Sequence, residues 1–377
     1  MTTADVIIVG AGIAGASMAY ELQAFADVAL IERELQPGYH ATGRTAAVFA
    51  PAYGNRVIRA LTRASRPAYE QRLGGLAGRP VLAPRGAVLI GRPDQATSLE
   101  DFHAEMRDEA PALEVLDAAA LERRLPFLRP GYAIGGVLDP DVMDLEVALI
   151  HGAYLQGFRR RGGRLVTEAE LIELGGEPAR WEIRTPREVF HAPMLVNAAG
   201  AWADQLARTV GLAPLGLIPR RRTAFVFEPS HPLDPAAPLV DDVDETFYFK
   251  PEAGLVLGSP ADATAVPPSD AQPDPRDVAI AIERIEQAAR FRVLRVIRRW
   301  AGLRTVPPDD VPVIGMDELL PGFFWLAGLS GYGIQTAPAL GRTAASLLVD
   351  GVVPDDLLAL GVTAEDLAPG RLRAAAG

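Results

Sequence analysis

The sequence predicts an α/β protein in which a Rossmann-like domain with a parallel sheet is intertwined with an α+β domain built on a mixed or antiparallel sheet. Three observations support this prediction. Residues 5–34 follow the order strand, glycine-rich turn, helix, strand and acidic residue. Two later segments, 194–207 and 323–351, repeat the order strand, glycine turn and helix. Between these segments lie short β-prone stretches broken by proline and glycine, which are typical of a different domain.

The first segment carries a glycine motif in which each glycine has a separate physical purpose. The motif follows a predicted strand over residues 5–9. Gly10 permits the sharp turn, Gly12 lets the backbone approach a pyrophosphate, and Gly15 lets the helix pack closely on the sheet. The N-terminus of that helix offers N–H groups and the positive end of its dipole to phosphate. The motif therefore predicts a nucleotide site at the end of the first strand.

An acidic residue completes this pattern. The second strand, predicted over 28–31, leads directly into Glu32, which follows the first glycine by roughly 20 residues. A carboxylate at this place can accept hydrogen bonds from the ribose of an adenosine. A glycine motif alone is weak evidence, but the whole arrangement predicts a dinucleotide site. The alternative is an ordinary glycine-rich βαβ unit without a ligand.

The middle of the chain loses the βαβ order. A polar, turn-prone loop over 36–55 precedes a helix predicted over 55–73, which Pro67 is expected to kink or end. A strand over 81–90 and a helix over 95–109 follow. We interpret this region as the start of an inserted second domain.

The βαβ order resumes near residue 144. Asp144 is predicted to be the N-cap of a helix over 145–161, because its side-chain oxygen can accept hydrogen bonds from the first turn. A further helix is predicted over 277–290. The remaining predicted strands are residues 164–167, 181–184, 189–191, 223–228, 247–250 and 255–258.

Three separated pieces are thus predicted to form the nucleotide domain. We assign residues 1–76, 141–214 and 305–377 to this FAD-binding domain, and residues 77–140 and 215–304 to the substrate-binding domain. The division favours a flavin over a nicotinamide, because glycine turns near 200 and over 328–333 lie far from the first motif. The last turn offers helix N–H groups to a partly negative isoalloxazine edge. A nicotinamide-linked dehydrogenase is the alternative, and it would not need this last turn.

Composition excludes several classes of function. The net charge of −11 argues against nucleic acid as a partner. The sequence contains no cysteine, which excludes disulfides, thiol catalysis and a cysteine-linked flavin. Its five histidines show no metal-ligand spacing, so no metal site is predicted. No apolar run approaches the roughly 20 residues of a membrane span, so we expect a cytoplasmic protein, with peripheral membrane contact left open.

Several longer phrases carry a family resemblance. The opening motif, NAAGAWAD at 197–204, AGLR at 301–304 and GYGIQT at 331–336 together resemble the FAD-dependent D-amino acid oxidase superfamily, which includes glycine and sarcosine oxidases. Other phrases are more similar to bacterial D-arginine dehydrogenases and D-amino acid dehydrogenases. These are QPGYHATGR at 36–44, AYG at 52–54, RRTAF at 221–225, FYFKPEAG at 247–254 and LGSPA at 257–261.

The resemblance implies oxidative deamination of a D-amino acid. Hydride would pass from the substrate Cα to N5 of a non-covalently bound FAD, and the imine would hydrolyse to a 2-oxo acid and ammonia. The electron acceptor would be a quinone or oxygen. Related alternatives are glycine, an N-methyl amino acid or a 2-hydroxy acid as substrate, and an alternative of another class is a non-catalytic, flavoprotein-like regulator.

The resemblance also implies which residues hold the substrate. Arg222 and Arg304 would bind the carboxylate, for which the planar guanidinium fork is well suited. Tyr248 would donate a hydrogen bond, Gly331 would offer its carbonyl to the amine, and Tyr53 would form part of a lid. The residues that the resemblance assigns to the cofactor are Gly10, Gly12, Ile13, Ala14, Gly15, Glu32, Arg33, Thr42, Gly43, Arg44, Ala46, Ala199, Gly200, Trp202, Gly331, Tyr332, Gly333, Ile334, Gln335 and Thr336.

The expected side-chain pocket departs from that of the D-arginine enzymes. Those enzymes carry a glutamate where this chain has Ala87, which cannot pair with a cation. We therefore expect a preference for neutral or apolar side chains. Asp241 or Asp242 could supply the missing negative charge from another wall of the pocket. Alternatively, both could lie in a solvated loop. The expected pocket residues are Val48, Ala50, Ala87, Leu239 and Asp241.

Overall fold

The computed structural model describes residues 2–374. Met1 and residues 375–377, which belong to the predicted segments 1–76 and 305–377, lie outside the described residues.

A six-stranded sheet forms the centre of the nucleotide-binding part. Neighbouring strands run parallel, except that the last pair is antiparallel. Every strand lies within the segments predicted for this domain. In spatial order the strands are Arg164–Val166, Val28–Ile31, Val6–Val9, Met194–Asn197, Phe323–Ala327 and Val313–Met316.

Three long helices belong to the same part of the molecule. Ile13–Leu22 packs against both Gly333–Val349 and Val147–Arg160. The first helix is buried on almost all sides, which explains its small residues. An ideal Cβ on Gly341 would lie 2.7 Å from the Ser17 carbonyl carbon, so glycine permits this helix contact.

A nine-stranded mixed sheet forms the second part, as predicted. Its one parallel pair joins Leu239–Asp242 to Ala87–Gly91, and the other pairs are antiparallel. In spatial order the strands are Thr264–Ala265, Ile218–Pro229, Leu255–Ser259, Tyr248–Glu252, Leu239–Asp242, Ala87–Gly91, Gly135–Asp139 and Glu114–Asp117, with Val293–Val306 paired along Ile218–Pro229.

Two smaller sheets account for the rest of the β-sheet structure within residues 2–374. One consists of Val48–Phe49, Met143–Leu145 and Leu82–Pro84, and it joins segments that we assigned to different domains. The other consists of Thr2–Thr3, Val189–Ala192, Arg180–Arg184 and Glu173–Glu177. The domain boundaries stay a prediction.

Among the remaining helices, Arg56–Pro67 is half-buried and packs against Gly333–Val349. The α-helices are Arg56–Pro67, Gly74–Ala77, Ala96–Met106, Ala118–Arg124, Ala203–Thr209, Pro275–Ala288, Asp355–Ala359, Ala364–Leu367 and Gly370–Ala374. Ala68–Leu73 is a π-helix that begins after Pro67, where the sequence predicts an interruption. The 3₁₀ turns found in the described part of the chain are Ala41–Arg44, Pro93–Gln95 and Gly200–Trp202.

The predicted cap at Asp144 is wrong. Asp144 lies in the strand Met143–Leu145, and the helix begins later, at Val147. Its carboxylate accepts hydrogen bonds from Arg85 Nε at 2.8 Å and from Lys250 Nζ at 2.7 Å. Two cations far away in sequence thus hold this carboxylate, while strand pairing keeps its backbone extended.

The single strand predicted over 81–90 is also wrong. The structure has two strands there, Leu82–Pro84 and Ala87–Gly91, which belong to different sheets. Gly86 separates them with a φ of +70°, a conformation that glycine adopts without strain. The second strand carries Ala87 into the large sheet, beside Leu239.

Candidate active site

A cleft of about 410 Å³ lies at the carboxyl ends of the six-stranded sheet. Gly10, Glu32, Ala198 and Gly328 follow four strands of this sheet and line the cleft. Ligands of open α/β sheets bind at this edge, where successive strand ends form a crevice. We call this cleft the first cavity.

The glycine motif has the geometry that a close-packed turn needs. Gly10 has a φ of +102°, and a Cβ there would lie 2.4 Å from the Ala198 carbonyl oxygen. A Cβ on Gly15 would lie 1.9 Å from the Gly10 carbonyl oxygen. Gly12 caps the helix Ile13–Leu22 and has no side chain of its own, and the Ile13 N–H donates to Thr42 Oγ1 at 3.0 Å. Gly12, Ile13 and Ala14 line the first cavity, so the positive end of the helix dipole faces it, which favours an anion.

Glu32 and Arg33, which follow the strand Val28–Ile31, line the other side of the first cavity. Glu32 accepts hydrogen bonds from the backbone N–H groups of Ala11 at 2.8 Å and Glu34 at 3.1 Å, which hold its carboxylate in place. The Arg33 guanidinium lies 3.9 Å from the centre of the Trp202 ring, in a cation–π contact. These features fit an adenine nucleotide, with Glu32 at its ribose.

Most of the residues expected at the cofactor line the first cavity. They are Gly10, Gly12, Ile13, Ala14, Glu32, Arg33, Thr42, Arg44, Ala46, Ala199, Gly200, Trp202, Gly331, Gly333 and Ile334. Tyr332 and Gln335 line a second cavity instead. Three others are packed against protein atoms: Gly15 and Gly43 lie against the carbonyl oxygens of Gly10 and Gly38, and the Thr336 hydroxyl donates to Tyr332.

The second cavity, of about 480 Å³, lies between the large sheet, the loop after Thr45 and the helix Ala96–Met106. Arg222, Tyr248, Arg304 and Gly331 line both cavities. The two cavities therefore meet at residues that were expected to bind a substrate carboxylate and amine.

The two arginines come from adjacent antiparallel strands of the large sheet. Arg222 pairs with Gly302 in the register of these strands, and Arg304 pairs with Arg220. Among the described residues, Arg222 Nε is buried without a hydrogen-bond partner, and its closest carboxylate contact is Glu245, 3.9 Å from the terminal nitrogen. Arg222 thus has hydrogen-bonding capacity left for a ligand.

Arg304 keeps its charge despite its surroundings. Burial acts to lower the pKa of its guanidinium, but the hydroxyls of Tyr53 and Tyr248 beside it leave this pKa above its ordinary value. A methyl group on Gly331 would lie 2.7 Å from Arg304 Cζ, so the guanidinium rests against the Gly331 backbone. A cation is therefore fixed at the junction of the cavities.

Tyr53 lies on the second cavity, in the loop where a lid was expected. Its hydroxyl donates to Glu245 Oε1 at 3.2 Å, and its ring lies 5.2 Å from that of Tyr332. Burial raises the pKa of Tyr53, so the phenol stays protonated and able to donate a hydrogen bond. Tyr248 pairs with Asp241 on the neighbouring strand and faces the same cavity.

The wall of the second cavity is mainly apolar. Besides the expected Val48, Ala50, Ala87 and Leu239, it includes Phe102, Met106 and Val142. Asp241 also lines it, and among the described residues its Oδ1 is buried without a hydrogen-bond partner. Asp242 differs, because its carboxylate accepts hydrogen bonds from Arg92 at 2.8 Å and Gln95 at 3.0 Å.

Sequence reasoning missed five charged residues of this cavity, which are Arg59, Glu105, Asp139, Glu245 and Asp310. Asp139 is buried opposite Ala87, and burial raises its pKa to about 6. Glu245 contacts Tyr53 and Arg222. Arg59 bonds Glu109 at 2.9 Å and Glu105 at 3.2 Å. Only Glu245, three residues before Tyr248, had a signal in the sequence.

The described residues contain no group of three or more histidine, aspartate or glutamate side chains arranged to hold a metal ion. Across residues 2–374, the helices are also too short or too polar to cross a membrane. The paired cations at the junction instead provide the chemistry for binding a carboxylate, and the first cavity provides the chemistry for a dinucleotide.

Comparison with known proteins shows what the chain is similar to. Rat mitochondrial dimethylglycine dehydrogenase (Rattus norvegicus) is 24% identical over 387 residues, which cover 95% of this chain and 44% of that protein. Monomeric sarcosine oxidase from Streptomyces avermitilis is 28% identical over 246 residues, covering 63% of this chain and 61% of that protein. The crystal structure of glycine oxidase from Geobacillus kaustophilus has a TM-score of 0.81 at 22% identity and covers 92% of this chain and 95% of its own.

The chain spans less than half the length of the dimethylglycine dehydrogenases that it matches. The finer similarity to D-arginine dehydrogenases stays a prediction. A family model described as "FAD dependent oxidoreductase" (DAO) matches residues 5–347. The chain therefore belongs to the DAO family of FAD-dependent oxidoreductases, whose cofactor is FAD.

Proposed function

We propose that this protein oxidises the Cα–N bond of D-amino acids with neutral side chains, yielding an imine that water converts to a 2-oxo acid and ammonia. The observation that carries the proposal is the position of Arg222, Tyr248, Arg304 and Gly331 at the junction of the two cavities. A substrate carboxylate held there would present its Cα to the first cavity. The D configuration rests on the phrases similar to D-arginine dehydrogenases.

The protein's own contribution is binding and orientation. Bound FAD supplies the acceptor for the hydride that leaves Cα. Arg222 and Arg304 neutralise the carboxylate, and Tyr248 donates a hydrogen bond to it. The Gly331 carbonyl accepts a hydrogen bond from the amine, which fixes which face of Cα points toward the first cavity. Tyr53 covers the substrate from the loop side.

The apolar wall supports a neutral side chain. Ala87 and Leu239 lie side by side in the large sheet, and Val48 and Ala50 line the loop side. A guanidinium among these residues would lose its hydration without gaining a full set of hydrogen bonds. Small and medium aliphatic side chains pack against such a wall without an electrostatic penalty.

A second candidate is oxidation of an N-methyl amino acid. Two relatives, dimethylglycine dehydrogenase and monomeric sarcosine oxidase, carry names that refer to such substrates. The carboxylate would bind to the same two arginines, and the difference would lie in the space around the amine.

Anaerobic mixing distinguishes these candidates. The purified holoenzyme is mixed with D-amino acids, L-amino acids, glycine, sarcosine, dimethylglycine and 2-hydroxy acids while the oxidised flavin absorbance is followed. We expect the fastest bleaching with neutral D-amino acids. Faster bleaching by sarcosine or dimethylglycine would favour the second candidate, and the absence of bleaching throughout would contradict both.

A further inference from the structure

We propose that Asp241 determines substrate specificity by hydrogen bonding to a hydroxyl group on the β-carbon, which makes D-serine and related β-hydroxy amino acids the preferred class. This inference rests on the proposed function, because it requires an amino acid held by Arg222 and Arg304. It concerns the side chain of the substrate, which those arginines do not select.

The position of Asp241 in the sheet limits which substrate atoms it can reach. Asp241 lies directly opposite Tyr248 in the antiparallel pair of their strands, and both line the second cavity. Residues that face each other in this way have Cβ atoms roughly 5 Å apart. Since Tyr248 also lines the first cavity, the Asp241 carboxyl lies near the end of the cavity that holds the substrate head group.

The other end of the cavity wall has a different character. Ala87 lies beside Leu239 in the sheet. Leu239 is two residues before Asp241 in the same strand, so the two side chains point to the same face of the sheet. Asp139 is opposite Ala87 on the next strand, still further from Tyr248. A group recognised by Asp241 must therefore be close to Cα, and the β-carbon substituent is the nearest atom of the side chain.

The Asp241 carboxyl has hydrogen-bonding capacity that no other described residue uses. Among the described residues its Oδ1 is buried without a hydrogen-bond partner, as is Arg222 Nε in the same cavity. Buried polar atoms are almost always paired in folded proteins, because leaving them unpaired is unfavourable. The neighbouring Asp242 shows the contrast, since Arg92 and Gln95 occupy both of its oxygens.

A hydroxyl group fits this carboxyl better than a methyl or ammonium group does. Burial raises the pKa of Asp241 to about 8, with Glu245 adding to the effect and Arg222 opposing it. A hydroxyl both donates and accepts, so it pairs with the protonated and the ionised carboxyl alike. An ammonium group only donates, so it cannot accept from the O–H of the protonated carboxyl, and its charge would face Arg222 and Arg304. A methyl group leaves Oδ1 unpaired.

The test compares two substrates of the same shape. D-Serine and D-2-aminobutyrate differ only in a hydroxyl in place of a methyl group, and kcat/KM is measured for both with the holoenzyme. We expect at least about a tenfold preference for D-serine, as expected for a hydrogen bond to a carboxyl group. Asp241→Val should reduce this ratio to about one or below, and Asp241→Asn should retain part of it.

The ratio separates recognition from a structural role. A variant that merely disturbs the fold lowers kcat/KM for both substrates together, whereas loss of recognition changes their ratio. Asp242→Asn is the matched control, and it should keep the preference of the wild type for D-serine. If Asp241→Val is poorly folded, the ratio in Asp241→Asn decides instead, and its reduction relative to the wild type is required.

Three results would overturn the inference: a wild-type ratio at or below one, a ratio that Asp241→Val leaves unchanged, or bleaching by neither substrate in either configuration. If the flavin bleaches with the L enantiomers instead, the same ratio is measured on them. Bleaching by other D-amino acids in the panel, without a preference for D-serine, would leave the proposed function intact and remove only this inference.

Discussion

The Arg304 guanidinium packs against Gly331 so closely that a single methyl group on Gly331 would lie 2.7 Å from Arg304 Cζ. A backbone hydrogen bond holds the two segments together, since Ser330 N donates to the Thr305 carbonyl oxygen at 2.9 Å. The contact couples a buried cation of the large sheet to the turn that opens the helix Gly333–Val349. Both residues line the two cavities, so the fit between them sets the geometry of the junction.

Gly331→Ala should displace the Arg304 guanidinium and lower kcat/KM for the best amino acid substrate by on the order of 10- to 100-fold. The reason is steric, because the added methyl group requires a guanidinium atom or the turn to move. Gly75→Ala is the control, since a Cβ at Gly75 meets nothing within 4 Å and should leave the kinetics unchanged. Wild-type kinetics in Gly331→Ala would show that the close contact is not required.

Arg222→Met and Arg304→Met should each lower kcat/KM by on the order of a hundredfold or more while FAD stays bound. Truncating one partner of a desolvated charge pair costs about 2–5 kcal/mol. Steady-state kinetics and the flavin spectrum measure the two effects separately. Normal turnover by either variant would show that the substituted arginine is not part of the proposed site.

Arg221→Met provides the matched control for this pair of variants. Arg221 belongs to the same run of three arginines, but it pairs with Asp277 at 2.6 Å and Asp262 at 3.3 Å. We expect its loss to lower the melting temperature and to leave kcat/KM within about twofold of the wild type, as for other changes away from a binding site.

FAD should be released intact when the holoenzyme is precipitated with acid, because the sequence has no cysteine to form a thioether. His40 is the histidine of the loop that lines the first cavity, and its Nε2 lies 2.9 Å from Glu34 Oε1. We expect the same release from His40→Ala. Flavin that stays with the wild-type pellet but leaves the pellet of His40→Ala would instead demonstrate a covalent bond to this histidine.

D-Methionine, D-leucine and D-phenylalanine should have a higher kcat/KM than D-arginine. Ala87 offers no charge to a guanidinium, and burying an unpaired cation costs several kcal/mol. Ala87→Glu should raise relative activity with D-arginine. If D-arginine is already the best substrate of the wild type, this preference is wrong, and Asp139→Asn and Asp241→Asn would identify which carboxyl binds the cation.

Asp241 should make the stability of the protein decrease with rising pH. Its pKa is about 8 in the folded protein, above the ordinary value of 3.8, chiefly because burial disfavours the charged form. The folded state therefore holds the proton more tightly than the unfolded state. The contribution of this group to stability is fully present below about pH 4 and is lost as pH rises toward about 8.

The loss of stability at rising pH that Asp241 causes should be absent in Asp241→Asn. We expect the free energy of unfolding of the variant, relative to the wild type, to rise by roughly 1–3 kcal/mol between pH 4 and pH 8.5. Melting temperatures of the two holoenzymes across this range provide the measurement. A constant difference between them would mean that Asp241 ionises freely in the folded protein.

The first nucleotide-binding unit could be predicted from sequence because its interactions are local. Strand, turn, helix and Glu32 all lie within residues 5–34, and glycine spacing reflects contacts between near neighbours. The Gly10 contact with Ala198 is the exception, since it joins distant strands of one sheet. Identifying Arg222 and Arg304 required the family resemblance, because nothing in the arginine run itself distinguishes Arg222 from Arg221.

Only the tertiary structure decided where the acidic side chains of the chain point. Asp144 satisfies the pattern of a helix cap, yet Arg85 and Lys250 hold it in a strand. Asp241 and Asp242 are adjacent in sequence and both line the second cavity, but successive strand residues face opposite sides. Asp242 therefore pairs with Arg92, whereas Asp241 Oδ1 has no hydrogen-bond partner among the described residues. Which partners each side chain meets depends on the register with strands far away in the chain, and no local pattern encodes that register.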